Sequence, residues 1–285
     1  HVSAGTFMGT VLVARDGDVL LSEGFGFANL EWRIPNTPAT KFRLGSVTKQ
    51  FTAGAILLLE ERGKLSLDDS VKKHWPDAPT GWEPVTFFHL LTHTAGMPNM
   101  AALPNFATYR LSPSPVARTV TLLKDRPLEF APGTEMRYSN SGYLLLGYLI
   151  ERISGQSYAA FLRDNIFTPL SMMDTGNDAH AEINERRASG YAAAQGGFAN
   201  APYIDMTIPH AAGALYSTTE DLLRWTQGLF GGKLLTPASL EQMTTRFKND
   251  YALGVSSLDR NGQTAITHGG AIEGGGRMSG SLKLA

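Results

Sequence analysis

Ser46 and Lys49 stand three residues apart at the head of an apolar helical pattern, a spacing that puts a hydroxyl and an amine on one helix face. A serine hydroxyl is a weak nucleophile until a base within hydrogen-bond reach takes its proton, and Lys49 lies one turn away. Two later triplets offer partners. Tyr138-Ser139-Asn140 brings a phenol and a carboxamide, and His268-Gly269-Gly270 brings an imidazole followed by two glycines that let a ligand approach a sheet edge. Together these groups suit covalent acyl transfer, while each has a plainer reading on its own. Ser46 could be an ordinary helix cap beside a surface lysine, and Ser139, Asn140 or Ser141 could cap the apolar helix that follows. His268-Gly269-Gly270 could be a strand-end turn. A second S-x-x-K match, Ser70-Val71-Lys72-Lys73, sits in a polar run ending at Trp75-Pro76 and shows how little one match means.

The elements around these residues give the first match its weight. Phe51, Ala55, Ile56, Leu58 and Leu59 recur at helical spacing until Gly63, so an amphipathic helix starts on Ser46. Unpaired N–H groups and the positive dipole end would favour developing negative charge there. Upstream, residues 8–14 and 19–26 read as a hairpin turning at Asp16-Gly17. Helical patterns over 87–92, 115–124, 141–153 and 158–165, with no strand hairpin between them, predict a mostly helical region. Residues 176–208 read as a loop able to wall a cleft. Helices then start at Thr218 and near Thr236-Pro237, and 251–258 with 263–267 forms a second hairpin. This order predicts an α+β protein in which residues 1–67 and 201–285 build a discontinuous sheet domain around a helical domain, 68–200.

Composition narrows the function classes. The chain has 285 residues, 42% hydrophobic and 18% charged, as expected of a globular protein with a large core. Its 25 basic and 26 acidic residues nearly cancel, so no field draws nucleic acid. No apolar stretch nears the roughly 20 residues of a membrane span. The first residues show no basic-then-apolar leader, which leaves the compartment open. Cysteine is absent, removing disulfides, thiolate metal sites and a cysteine nucleophile at once. His89 and His93 have a metal-like spacing, but His-Leu-Leu-Thr-His lacks the glutamate of the zinc-protease pattern and reads as structural, so neither metal nor cofactor is expected. No G-x-S-x-G occurs, which disfavours the α/β-hydrolase form of esterase.

Taken in order, Ser46-x-x-Lys49, Tyr138-x-Asn140 and His268-Gly269-Gly270 resemble the three motifs of the serine β-lactamase and penicillin-binding-protein superfamily, in particular its class C-like branch with esterases and D-amino-acid peptidases. Residues 42–46, 89–96 and 216–221 add to the likeness, which runs from about Gly9 to Gly274. The resemblance implies a β-lactamase/transpeptidase-like fold with Ser46 as the acylated nucleophile. Lys49 would be its proton acceptor or electrostatic partner and Tyr138 the second candidate base, with cationic Lys49 stabilising the Tyr138 phenolate. Asn140 would hold a substrate carbonyl or orient Lys49. The strand at His268, Gly269 and Gly270 would align the substrate, and the N–H groups of Ser46 and Ala271 would form an oxyanion hole. The implied substrates are small esters, β-lactams or D-residue peptides. The alternatives are a true class C-type β-lactamase or D,D-peptidase, or a non-catalytic penicillin-binding or scaffold protein. A periplasmic or secreted setting would fit the family.

Two departures stand out. Many β-lactamases carry lysine where this chain has His268, and a histidine is mostly neutral above its pKa of about 6.5, which favours esters or D-residue peptides over antibiotics. The resemblance also implies a helix before the first strand, and two strands and a helix after the third motif. Seven residues precede Met8 and 15 follow Gly270, those at 274–285 show no strand alternation, and 281–285 could be translated linker, so the chain reads as shortened. An uncovered sheet face or edge would favour a homodimer.

Overall fold

The computed structural model describes residues 7–272 and, for the backbone alone, 275–283. Both predicted hairpins form. Strands Gly9–Arg15 and Asp18–Phe25 pair antiparallel through Asp16 (φ 53°) and Gly17 (φ 92°), and Ser256–Arg260 pairs with Gln263–Ile272 through Asn261 (φ 58°) and Gly262 (φ 77°). Positive φ at both central residues is what a two-residue turn matched to strand twist demands, and Asp-Gly and Asn-Gly supply it cheaply. The Gly275–Lys283 strand then pairs antiparallel with Gln263–Ile272. That segment was expected to lack strand; ladder bonds come from the backbone, so a neighbouring strand can recruit residues without apolar alternation.

Between the sheets the chain is helical as far as Phe167. Thr48–Glu61 runs through the middle and is not amphipathic in its surroundings: residues 51–59 are all buried, and Phe51 packs on Trp225 with ring centroids 4.2 Å apart. A helix apolar on every side must be covered on every side. Much of the cover comes from Asn140–Ser154, whose Leu144, Leu145, Leu146, Leu149 and Ile150 are fully buried, and from His210–Gly213. Residues 176–208, expected to be loop, contain the Gly176–Asn177 strand and a hairpin, Tyr191–Ala194 with Gly197–Asn200. Its alanines, exposed Phe198 and glycines carry no two-residue alternation for a sequence to reveal. Among the described residues no helix is long and apolar enough to cross a membrane.

One small sheet aims the chain at Ser46. Phe42–Arg43 and Gly176–Asn177 flank Leu215–Ser217, and Leu44 N–H donates to Leu215 O at 2.8 Å. Asp178 locks this sheet. Its buried carboxylate accepts from Arg43 Nε at 2.6 Å and from Arg187 Nη1 at 2.5 Å. Asp178→Asn keeps the shape but removes the charge shared by two guanidiniums and turns a donor toward one of them. The expected loss is about 3 kcal/mol, a fall in melting temperature of roughly 5–10 °C, measurable by thermal unfolding.

Candidate active site

Ser46 occupies a short 3-10 turn, Gly45–Val47, that leads into Thr48–Glu61. Gly45 has φ 52°, a region hostile to larger residues, and a Cβ there would lie 2.9 Å from Ala271 N. The serine turn and the Gln263–Ile272 strand are therefore pressed together backbone to backbone. Strand register slips between Gly270 and Ile272, which leaves Ala271 at an irregularity. One residue, Ala271, there opposes two of the Gly275–Lys283 strand, so the extra residue of the bulge lies on that strand and not at Ala271.

Lys49 is fully buried, and Nζ has three neighbours: Ser46 Oγ at 3.1 Å, Asn140 Oδ1 at 2.9 Å and Ala212 O at 2.8 Å. Burial holds its amine well below the usual lysine range. A neutral amine has two N–H donors and one lone pair. Carboxamide and peptide oxygens only accept, so whenever the amine is neutral its two N–H groups go to Asn140 and Ala212 and its lone pair faces the Ser46 hydroxyl. Of the two uses open to Asn140, the contact seen is with Lys49. Ser139 sits at the N-cap of the following helix but makes no cap bond, and Ser141 Oγ instead joins Met100 N–H and Pro98 O, both at 2.7 Å. The triplet is not spent on capping.

Tyr138 is 40% exposed and lies beside Lys49, whose Nζ is 4.9 Å from the ring centroid. Burial pushes its phenol up to about 12, against a hydrogen bond with Ser46 that works the other way. Desolvation disfavours the charged form of both groups.

His268 is buried and committed. Its Nδ1–H donates to Gly269 O at 2.6 Å and Nε2 accepts from the Tyr251 hydroxyl at 3.1 Å. Burial, and then Lys49, lower its pKa to about 4, so it is neutral at physiological pH. Gly270 touches the serine turn directly: a Cβ on it would fall 1.9 Å from Leu44 O and 3.1 Å from Ser46 N. All eight residues singled out from the sequence, namely Ser46, Lys49, Tyr138, Asn140, His268, Gly269, Gly270 and Ala271, therefore border one locality.

The histidines with metal-like spacing part company. His89 forms a capping box with Thr86 at the start of Phe87–Leu91, whereas His93 lies beyond the end of that helix with φ 59°. Among the described residues no cluster of three or more His, Asp or Glu could hold a metal. In the other S-x-x-K match, Ser70 caps a four-residue helix and Lys73 reaches Asp69 at 2.7 Å.

Sequence reasoning missed the Ala212 carbonyl, because a backbone acceptor leaves no trace in residue type. Its placement depends on Thr52 Oγ1, which donates to Ala211 O at 2.7 Å, and on Gly147, where a Cβ would meet Ala211 Cβ at 2.5 Å. Tyr251, which fixes His268, was also overlooked. No periodicity marks either.

The β-lactamase family model matches residues 5–279. The chain is 34% identical over 250 residues to the putative penicillin-binding protein PbpX of Bacillus subtilis (strain 168), covering 87% of this chain and 61% of that protein. It spans about 60% of the length of the curated relatives it matches first. Among solved structures, the penicillin-binding protein of Bacillus halodurans superposes with TM-score 0.84 at 27% identity, covering 99% of this chain and 89% of that one. D-amino acid amidase from Ochrobactrum anthropi SV3, complexed with L-phenylalanine amide, superposes with TM-score 0.82 at 26% identity, over 96% and 82%. A buried lysine aimed at a serine, in a fold shared over nearly the whole chain, accompanies a family match of the same extent: the chain belongs to the β-lactamase family and has the β-lactamase/transpeptidase-like α+β fold.

Proposed function

We propose that this chain is a serine hydrolase of the class C-like branch that forms an acyl-enzyme on Ser46 from small neutral esters or amides, D-residue amides included. The observation that carries this is the Lys49 amine, fully buried, its pKa lowered by that burial, with Nζ 3.1 Å from Ser46 Oγ and its other two contacts, Asn140 Oδ1 and Ala212 O, both acceptors. Lys49 Nζ takes the Ser46 proton as Oγ attacks the substrate carbonyl. The tetrahedral oxyanion lies against the N–H groups of Ser46 and Ala271. Tyr138 O–H protonates the leaving alcohol or amine, and the proton on Lys49 replaces the one Tyr138 gave up. Water then attacks the acyl-enzyme by the same steps in reverse.

The substrate class follows from His268. With both ring nitrogens engaged and its pKa lowered to about 4, the third motif offers no positive charge to a substrate carboxylate. A charge-assisted hydrogen bond contributes about 1.5–3 kcal/mol, so its lack disfavours carboxylated substrates by roughly 10- to 100-fold. Similarity to a D-amino acid amidase supports extending the substrates from esters to amides with D-residues.

The test is steady-state hydrolysis of p-nitrophenyl acetate, nitrocefin and a D-alanyl peptide, with Ser46→Ala as the blank, and intact-mass mapping of the adduct. Turnover of the neutral ester with kcat/KM at least about 10-fold above nitrocefin is expected, with one acyl group on Ser46. Equal rates for wild type and Ser46→Ala would end the serine mechanism. An adduct without turnover would identify an acyl trap.

A further inference from the structure

His93 ends the Phe87–Leu91 helix in a way that favours another residue. Thr94 N–H donates to His89 O at 2.8 Å and His93 N–H to Leu90 O at 3.3 Å, the paired bonds of a Schellman motif with His93 at its left-handed position, φ 59°. Glycine is the usual occupant, because a side chain there is crowded. The imidazole is nonetheless kept, almost wholly buried, and its Nε2 has no hydrogen-bond partner. Both the backbone and the orphaned nitrogen cost stability, and strain of this kind persists where the surroundings enforce it, often beside an active site.

What the ring and its backbone do is bracket Tyr138. His93 O accepts from Arg137 N–H at 2.9 Å, and His93 Nδ1 accepts from Ser139 N–H at 3.2 Å, so the residues on either side of Tyr138 hang from one histidine. The ring also packs on Tyr138 with centroids 4.3 Å apart, backed by Tyr251 at 4.8 Å and Tyr143 at 5.1 Å. We infer that His93 is the positioning residue of Tyr138: its Nδ1 holds the Ser139 amide and its ring supports the phenol, setting the hydroxyl against Ser46. Burial, with Lys49 and His268 nearby, keeps the imidazole unprotonated, so Nδ1 is free to accept.

This rests on the serine-hydrolase reading of the site and is tested so that the two can fail separately. Asparagine and leucine are nearly the same shape; Asn Oδ1 can stand where Nδ1 stands and asparagine tolerates positive φ, whereas leucine has no acceptor. His93→Asn is expected to keep kcat for p-nitrophenyl acetate within about threefold of wild type, and His93→Leu to lose at least about 10-fold in kcat with KM within about twofold, as displacement of a reacting group predicts. His93→Gly, whose backbone suits the turn, is expected to follow leucine and supplies the comparison should leucine prevent folding. Thermal melts accompany each variant. Rescue by asparagine is the readout a purely structural histidine would not give. Equal losses in all three, or none in leucine and glycine, overturn the inference. A wild type that is never acylated on Ser46 overturns the hydrolase reading instead.

Discussion

Lys49→Arg is expected to slow acylation of Ser46 by about 10³-fold, the size of a general-base contribution. The substitution separates the two roles open to Lys49. Arginine keeps a positive charge near the serine but cannot give up its proton in a protein, so an electrostatic partner would be partly replaced and a base would be lost. The pH profile supplies the second arm. In the proposed base role Lys49 acts as its free amine, and burial holds its pKa well below the ordinary value of 10.5. A base is active above its pKa, so kcat/KM should climb with pH, with a midpoint well below 10.5, and then level off. The phenol, raised to about 12, brings no falling limb in the usual range. Measured between about pH 5 and 10, wild type should show one ascending limb and a plateau, while Lys49→Arg should show only a slow rise as hydroxide replaces the base. A limb still rising near the ordinary lysine value, or an arginine variant within about 10-fold of wild type, would remove Lys49 from the base role.

The elements of this site were legible to different depths, for physical reasons. Asp16-Gly17 and Asn261-Gly262 announced their turns because positive φ at both central positions restricts residue choice. The Ser46 helix was legible in its apolar repeat, yet its burial on every side was not, since Thr48, Thr52 and Lys49 look like a polar face until Leu215 N–H, Ala211 O and Ala212 O are seen to be their partners. The three motifs named the side chains. They did not give protonation states, because the desolvation that raises the Tyr138 phenol to about 12 is a property of the assembled surroundings. What stayed hidden was the backbone. The Ala212 carbonyl, the displaced register at Ala271 and the His93 turn are matters of main-chain position that many sequences could satisfy.

Gly270→Ala should lower kcat/KM by roughly 10²- to 10³-fold, the loss expected when an oxyanion donor is withdrawn. The obstacle is specific. A Cβ on Gly270 would fall 1.9 Å from Leu44 O and 3.1 Å from both Leu44 C and Ser46 N, all backbone atoms with no flexible end to swing away. The strand itself must therefore retreat by about 1 Å or more, a misplacement that costs about 10²-fold even without a lost hydrogen bond. Retreat carries the Ala271 N–H off Ser46, and with it half of the proposed oxyanion hole. Overpacking costs about 1–3 kcal/mol of stability, which leaves a protein of this size folded. Gly81→Ala is the control, since a Cβ there meets nothing within 4 Å, and it should alter neither rate nor melting temperature. Comparing kcat/KM and thermal unfolding for the two alanine variants separates local displacement from general damage. A Gly270→Ala protein that melts lower yet hydrolyses p-nitrophenyl acetate at the wild-type rate would mean that the strand can yield without moving the donors, and that the Ala271 N–H is not one of them.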